Sequence, residues 1–177
     1  AMADSLLFLT ELMGMKVYDL KGRKIGRLRD ACLVPSADPV LVNRYLVGGE
    51  LTWWTVRHDQ VERISLDGIY LRDEQLIPYR EDEYMLRMVR DLLDQQIIDI
   101  HGRKVVRVND VTFELKRTNS HDQLWVLEVD VGVRSIFRRL CQGLVPPRLV
   151  RRMMMRIPPN SIRWEFCNIV EPDPQRR

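Results

Sequence analysis

Four aspartates are the first residues in this chain that could do chemistry. Asp19 and Asp30 form one pair, and Asp99 and Asp110 repeat it at the same spacing. Two carboxylates brought together could hold a divalent cation or share acid–base work. A cheaper use is local. Asp19 and Asp99 each open an Asp-x-x-Gly segment, where the carboxylate bonds turn amides and Gly releases the chain. Asp30 and Asp110 fall where a strand must bend, and turn or bulge capping accounts for all four, each such bond being worth about 1 kcal/mol. The second chemical feature is positive. From Val131 to Trp164 there is no acid and there are eight arginines, at 134, 138, 139, 148, 151, 152, 156 and 163. No Ser/His/Asp or Cys/His arrangement is legible, and neither a nucleophile elbow nor a phosphate loop occurs. The expectation is a protein with no catalytic residues.

Composition narrows the class further. The 177 residues are 45% hydrophobic and 30% charged, which suits a globular fold and argues against disorder. No apolar run approaches the length of a membrane span, and the Leu6–Leu9 cluster has no basic region ahead of it, as a secretory signal would need. Cys32, Cys141 and Cys167 give neither a disulfide framework nor zinc spacing, so a reducing cytoplasm is expected. His58, His101 and His121 stand too far apart to form a metal motif. Neither cofactor nor metal is expected.

The elements that position these residues come in duplicate. Shifted by 80 positions, Asp19–Asp30 lies over Asp99–Asp110 with six of twelve residues identical and three more exchanging one branched aliphatic for another. Leu12 falls on Leu92, Val17 on Ile97, Leu33 on Phe113 and Tyr45 on Trp125 at that offset. Each unit reads as short strands rich in branched residues, with strands flanking Lys21 and His101. Leu28 and Val108 have the opposite parity to Ala31, Leu33, Val111 and Phe113, so a bulge is expected near Asp30 and Asp110. Further strands are expected at 42–48, 51–56, 61–66 and 69–72, the last after an Asp67-Gly68 turn, and at 124–131. The stretch 80–94 reads as a strand ending near Val89 and then one helical turn. Of the adjacent Trp53 and Trp54, one should face the core and the other outward.

The two units end differently. Val56–Val61 resembles Ile157–Ile162 at an offset of 101, so the second unit carries an insert at about 133–156. Ile136, Phe137, Leu140 and Cys141 recur at helical spacing with Arg134, Arg138 and Arg139 on other sides. After Pro146-Pro147, Leu149, Val150, Met153 and Met154 form a second stripe beside the row Arg148, Arg152 and Arg156, with Arg151 among them. Three readings stay open: an amphipathic decoration packed on its own strands, a docking surface for a partner protein or second subunit, or a surface for nucleic acid or anionic lipid. The chain as a whole is only +3, so the positive charge is local. The docking reading places Arg134, Ile136, Phe137, Arg138, Arg139, Leu140, Arg148, Arg151, Arg152, Met153 and Arg156 at the partner-binding surface.

The doubled Asp-[Leu/Ile]-x-Gly-Arg-Lys-[Ile/Val]-x-Arg-[Leu/Val]-x-Asp, followed by an aromatic-led strand, resembles the PRC-barrel family of small β-barrels. That resemblance implies a mainly β fold of two tandem antiparallel barrels, residues 5–79 and 80–172, the second with the helical insertion. The stretch Arg90–Asp99 running on to Val111 is most similar to bacterial members whose PRC-barrel segments accompany the intracellular and CBS domains of MgtE-type magnesium transporters. Such a resemblance implies a non-enzymatic, cytoplasmic interaction or regulatory module, and a chain that is one piece of a longer protein. Its partner would be another protein or domain, or a second copy. The runner-up is a ribosome- or RNA-associated assembly factor acting through the arginine-rich insert.

Overall fold

The computed structural model describes residues 6–81, 84–132, 140–141, 144–154 and 160–169. The protein is mainly β. In the first unit β1 (Leu6–Phe8) runs into α1 (Leu9–Leu12), a single turn, followed by β2 (Lys16–Tyr18), β3 (Lys24–Val34), β4 (Asp38–Gly48) and β5 (Trp53–Arg57). A 3₁₀ turn at His58–Gln60 leads to the hairpin of β6 (Val61–Ser65) and β7 (Gly68–Leu71), then β8 (Ile77–Pro78). The second unit opens with β9 (Leu86–Arg87) and a π-helical turn at Met88–Leu92, continuing through β10 (Gln96–Asp99), β11 (Lys104–Arg107), β12 (Asp110–Arg117) and β13 (Asp122–Asp130). Helix α2 (Pro147–Met154) precedes β14 (Ser161–Arg163), a 3₁₀ turn at Trp164–Phe166 and β15 (Cys167–Ile169).

The repeat is visible in the backbone. The Gly14 amide donates to the Leu28 carbonyl at 2.8 Å, and Asp94 donates to Val108 at the same distance. Met15 to Leu12 and Gln95 to Leu92 are both 3.1 Å. Lys16 pairs with Arg27 as Gln96 pairs with Arg107. Beyond β3 and β12 the offset of 80 fails. Ala31 faces Tyr45, whereas Val111 faces Val129, so Val129 rather than Trp125 is the counterpart of Tyr45. The second hairpin is longer, and extra residues in a loop shift everything after it. Likewise Val56 pairs with Tyr45 and Ile162 pairs with Val129, which aligns Thr55-Val56-Arg57 with Ser161-Ile162-Arg163. The offset of 101 is therefore replaced by 106, and the 3₁₀ turns at His58–Gln60 and Trp164–Phe166 become equivalent.

Strand pairing crosses the boundary near position 80. β1, at the start of the first unit, pairs with β12 through Leu6↔Glu114, Leu7↔Phe113 and Phe8↔Thr112. β9, at the start of the second, pairs with β3 through Cys32↔Arg87 and Leu33↔Leu86. The units have exchanged their leading segments. Trp125↔Leu41 joins β13 to β4, so the strands assemble into one curled twelve-stranded sheet beside a three-stranded sheet of β11, β10 and β15. Leu7, Leu9, Leu12, Leu28, Leu33, Phe113 and Val129 all lie in one buried cluster, which spans both units.

The expected bulge at Asp30 is present as a register shift between Leu28 and Asp30. In the second unit the strand instead breaks between β11 and β12 at Val108–Asn109. Both devices let Leu28, Ala31 and Leu33, and likewise Val108, Val111 and Phe113, turn inward despite their opposite parity. The tight turns differ as well. Gly22 takes the left-handed conformation at φ 76° in the first, but in the second that role falls on Arg103 at φ 52°. A side chain in this region costs about 1–2 kcal/mol, part of which glycine returns through its freer unfolded chain. Arg103→Gly is expected to raise the urea midpoint modestly, and an unchanged or lower midpoint would show the turn to be unstrained.

Candidate functional site

Asp19 and Asp99 act as their spacing implies. One Asp19 oxygen accepts the Lys21 and Arg23 amides, both at 2.9 Å, and one Asp99 oxygen accepts those of His101 and Gly102 at 3.1 and 3.0 Å. Asp30 and Asp110 also cap, but each caps the other unit. The Asp110 carboxylate accepts the Thr10 amide at 3.1 Å, the Thr10 hydroxyl at 2.6 Å and its neighbour Val111 N–H at 2.8 Å. The Asp30 carboxylate accepts the Val89 and Arg90 amides at 2.8 and 3.2 Å, the Ala31 amide at 2.9 Å and Arg87 Nε at 3.1 Å. Thr10 and Arg90 are equivalent by the repeat, so the two caps form a reciprocal pair.

The physical reason is the short helical turn that follows each leading strand. Its first amides have no partner within the turn, and they are buried against the neighbouring unit's bulge. A carboxylate is the strongest acceptor available there. Asp30 is fully buried, and burial lifts its carboxyl above the ordinary 3.8 while the Val89 amide, the Arg87 guanidinium and the Arg90 amide pull it back down. Arg87 also lies 5.3 Å from the ring centre of Trp53 and 5.4 Å from that of Tyr79. Trp53 is therefore the outward tryptophan, half-covered by a guanidinium, while Trp54 packs against the core. Arg87 and Thr10 escaped the sequence reading, although the 80-residue register placed Thr10-Glu11-Leu12 over Arg90-Asp91-Leu92 and so carried the signal. Among the described residues no three His, Cys, Asp or Glu side chains gather as metal ligands.

Other reactive groups are muted by their surroundings. Burial pushes the Cys32 thiol up, and Cys167 is pushed up to about 11 by burial and by Asp99. Both are therefore poor nucleophiles at neutral pH. His58, on the 3₁₀ turn after β5, meets His121 from the hairpin of the other unit with ring centres 5.7 Å apart. Its buried Nδ1 has no hydrogen-bond partner among the described residues. Burial lowers the His58 value from the ordinary 6.5, His121, Arg44 and Arg57 add to that, and Asp59 opposes it. A lowered folded-state value means the unfolded chain binds the proton more readily. Stability is thus full above about pH 6.5 and declines as pH falls through the lower folded-state value. Urea midpoints of the wild type are expected to drop between pH 7.5 and 5.5, and His58→Gln to flatten that drop. An equal slope in both proteins would remove His58 from the acid response.

The insert supplies the remaining candidate residues. Arg134, Ile136, Phe137, Arg138, Arg139 and Arg156 lie outside the described residues, as does the side chain of Arg151. Of the others, Leu140 is 70% exposed, Arg148 and Arg152 are exposed on α2, and Met153 is half-buried. The Pro146-Pro147 break starts α2 as its sequence implies, since proline fits a first helical turn. Helix α2 faces the structure through Val150, 4% exposed, while Leu144 is 84% and Leu149 47% exposed. Among the described residues Arg148 and Arg152 make no ion pair. The surface combines apolar side chains with unneutralised arginine. Leu144 was missing from the expected surface because it lies between the two helical stripes, where spacing carries no signal.

Between α2 and the first unit runs a groove of about 540 Å³. Met13, Met15 and Leu66 form one wall, and Leu144, Val145 and Val150 the other. No described helix is long and apolar enough to cross a membrane. No protein-family model matches the chain, and no curated protein matches it.

Proposed function

We propose that this protein is a non-enzymatic interaction module that docks another protein at the α2 surface. The observation that carries the reading is the exposure of Leu140, Leu144 and Leu149 beside Arg148 and Arg152, which make no ion pair among the described residues. Exposed apolar area bordered by arginine has the makeup of a protein-docking surface. The occupied carboxylates at Asp19, Asp30, Asp99 and Asp110 support it too, since each is engaged with N–H donors that hold the fold. In the finer reading the chain is a tandem pair of PRC-barrel units, residues 5–79 and 80–172, with α2 in an insertion of the second. The matched backbone bonds at an offset of 80 support that division. On the same resemblance the protein is bacterial and cytoplasmic, and its partner is a domain associated with magnesium transport.

Capture from extracts of the source cell tests the reading, with wild type and an Arg148→Glu/Leu149→Ser variant at low and high salt. A protein retained by the wild type at both salts and lost by the variant is the expected result. Recovery of RNA that disappears at high salt and ignores Leu149 would replace docking by nucleic-acid binding, whose affinity follows released counterions.

A further inference from the structure

We infer that the tip of the β12–β13 hairpin is a proton-operated clasp on the first unit, closed while His58 and His121 are uncharged and opened by acid, a device independent of the docking function above. The tip grips the first unit through the two residues that flank His121. The Asp122 carboxylate accepts the buried Ile64 amide of β6 at 3.0 Å, and the Ser120 carbonyl accepts Arg72 Nη1 at 3.0 Å. β6 is the last strand in the path of the large sheet, so Asp122 caps that sheet's edge. Arg117 holds Asp122 from within the hairpin at 2.8 Å.

Hydrogen-bond directions at the tip require an uncharged His121. The Trp125 indole N–H donates to Gln123 Oε1 at 3.2 Å, and Gln123 Nε2 lies 3.1 Å from His121 Nε2. An indole nitrogen can only donate, which turns the Gln123 oxygen towards Trp125 and its NH₂ towards His121. That NH₂ can only donate in turn, so His121 Nε2 is the acceptor and Nδ1 carries the proton. Nδ1 faces Ser120 Oγ at 2.9 Å and Thr118 Oγ1 at 3.4 Å. The Thr118 hydroxyl already donates to the His121 carbonyl at 2.6 Å, so it too is an acceptor for Nδ1–H. A charged His121 would set a second N–H against the Gln123 NH₂. Relief requires Gln123 to turn over, which breaks its bond to Trp125.

His58 opposes a proton from the other side. Its ring centre is 5.7 Å from that of His121, and no described residue accepts a bond from its buried Nδ1. Arg44 of β4 and Arg57 of β5 bear on the ring with positive charge. Asp59, the acid acting on it, is already bonded by Arg57 Nε at 3.0 Å. The charged groups around the tip are committed as well. Asp122 serves Ile64 and Arg117, with Glu62 and Arg63 of β6 beside it in a cleft, and Lys116 Nζ lies 4.5 Å from the Trp125 ring centre. A proton on either ring therefore meets donors and cations, and charging both sets like charges side by side across the boundary between the units.

Nuclear magnetic resonance of the ¹⁵N-labelled full chain from pH 7.5 to 5.0 tests the clasp. Its reporters are the imidazole signals, the Trp125 indole N–H, identified by Trp125→Phe, and the Ile64 amide. The expected result is that the indole signal moves together with the imidazoles. Exchange of the Ile64 amide, corrected for its intrinsic pH dependence, should rise about tenfold as the clasp opens. In His58→Gln/His121→Gln both reporters should stay still. Gln123→Glu supplies a check that loss of fold cannot mimic, since its carboxylate can accept from both Trp125 and a charged His121. That variant should keep the Trp125 bond down to pH 5.0. Circular dichroism verifies that each variant is folded. Imidazoles that titrate while Trp125 and Ile64 stay still would overturn the clasp. So would reporters that move equally in the double histidine variant, or a Gln123→Glu protein whose Trp125 signal follows acid as the wild type does.

Discussion

Replacing Asp30 by alanine is expected to lower the stability of the whole chain by about 3–5 kcal/mol, the cost of leaving a mostly buried guanidinium without its carboxylate. The Arg87 side chain is only 12% exposed and Asp30 fully buried, so water cannot take the carboxylate's place. The Val89 and Arg90 amides lose their acceptor at the same stroke. Asp110→Ala strands the amide and hydroxyl of Thr10 and is expected to cost about 2–4 kcal/mol, since buried donors left without partners each cost about 1–3 kcal/mol. Asp99→Ala, which removes a turn cap within one unit, should stay near 1 kcal/mol. Equilibrium unfolding in urea measures all three. Because each buried cap ties one unit's turn to the other's strand, the Asp30 and Asp110 variants should still unfold in a single transition. Two resolved transitions, or an Asp110 variant no worse than the Asp99 variant, would contradict the reciprocal arrangement.

Removal of the chain through Met13 should unfold a strand of the other unit, far from it in sequence. Leu9 and Leu12 are fully buried and Leu7 is 4% exposed. Each buried leucine truncated to alanine costs about 2–5 kcal/mol, and three together approach the entire stability of an ordinary domain, about 5–15 kcal/mol. The deletion also strips β1 from β12 and leaves Asp110 without Thr10. Amide exchange read by mass spectrometry is therefore expected to lose protection across Asp110–Leu115. The milder Leu7→Ala, opposite Phe113, should show the same loss to a smaller degree. Protection of that strand unchanged by the deletion would mean the first segment does not support the second unit.

The β class and the duplication were legible because both are written in local pattern. Branched residues at strand spacing, the Asp-x-x-Gly turns and the Asp67-Gly68 hairpin each act within a few residues, and the structure has strands and turns where they place them. The strand and single turn expected after position 80 are likewise present as β9 and Met88–Leu92. Equivalences past the β3–β4 hairpin were not legible. Extra residues in the second hairpin displace the register, and only cross-strand pairing shows that Tyr45 answers to Val129.

The aspartates show the division most clearly. Residue type and position marked Asp30 and Asp110 as caps at a bend, since a carboxylate beside a strand irregularity must find amides to accept. Which amides they accept was decided by tertiary structure alone. The leading strand of each unit could have closed on its own sheet or on its neighbour's, with the same alternation and the same turns. The exchange puts Leu7 opposite Phe113 and Arg87 beside Asp30, and long-range packing of this kind has no local signature. The same holds for the groove, whose walls are separated by most of the chain. Local backbone preferences settle where strands begin and turn, but burial of apolar surface is non-directional and is satisfied only by the assembled whole.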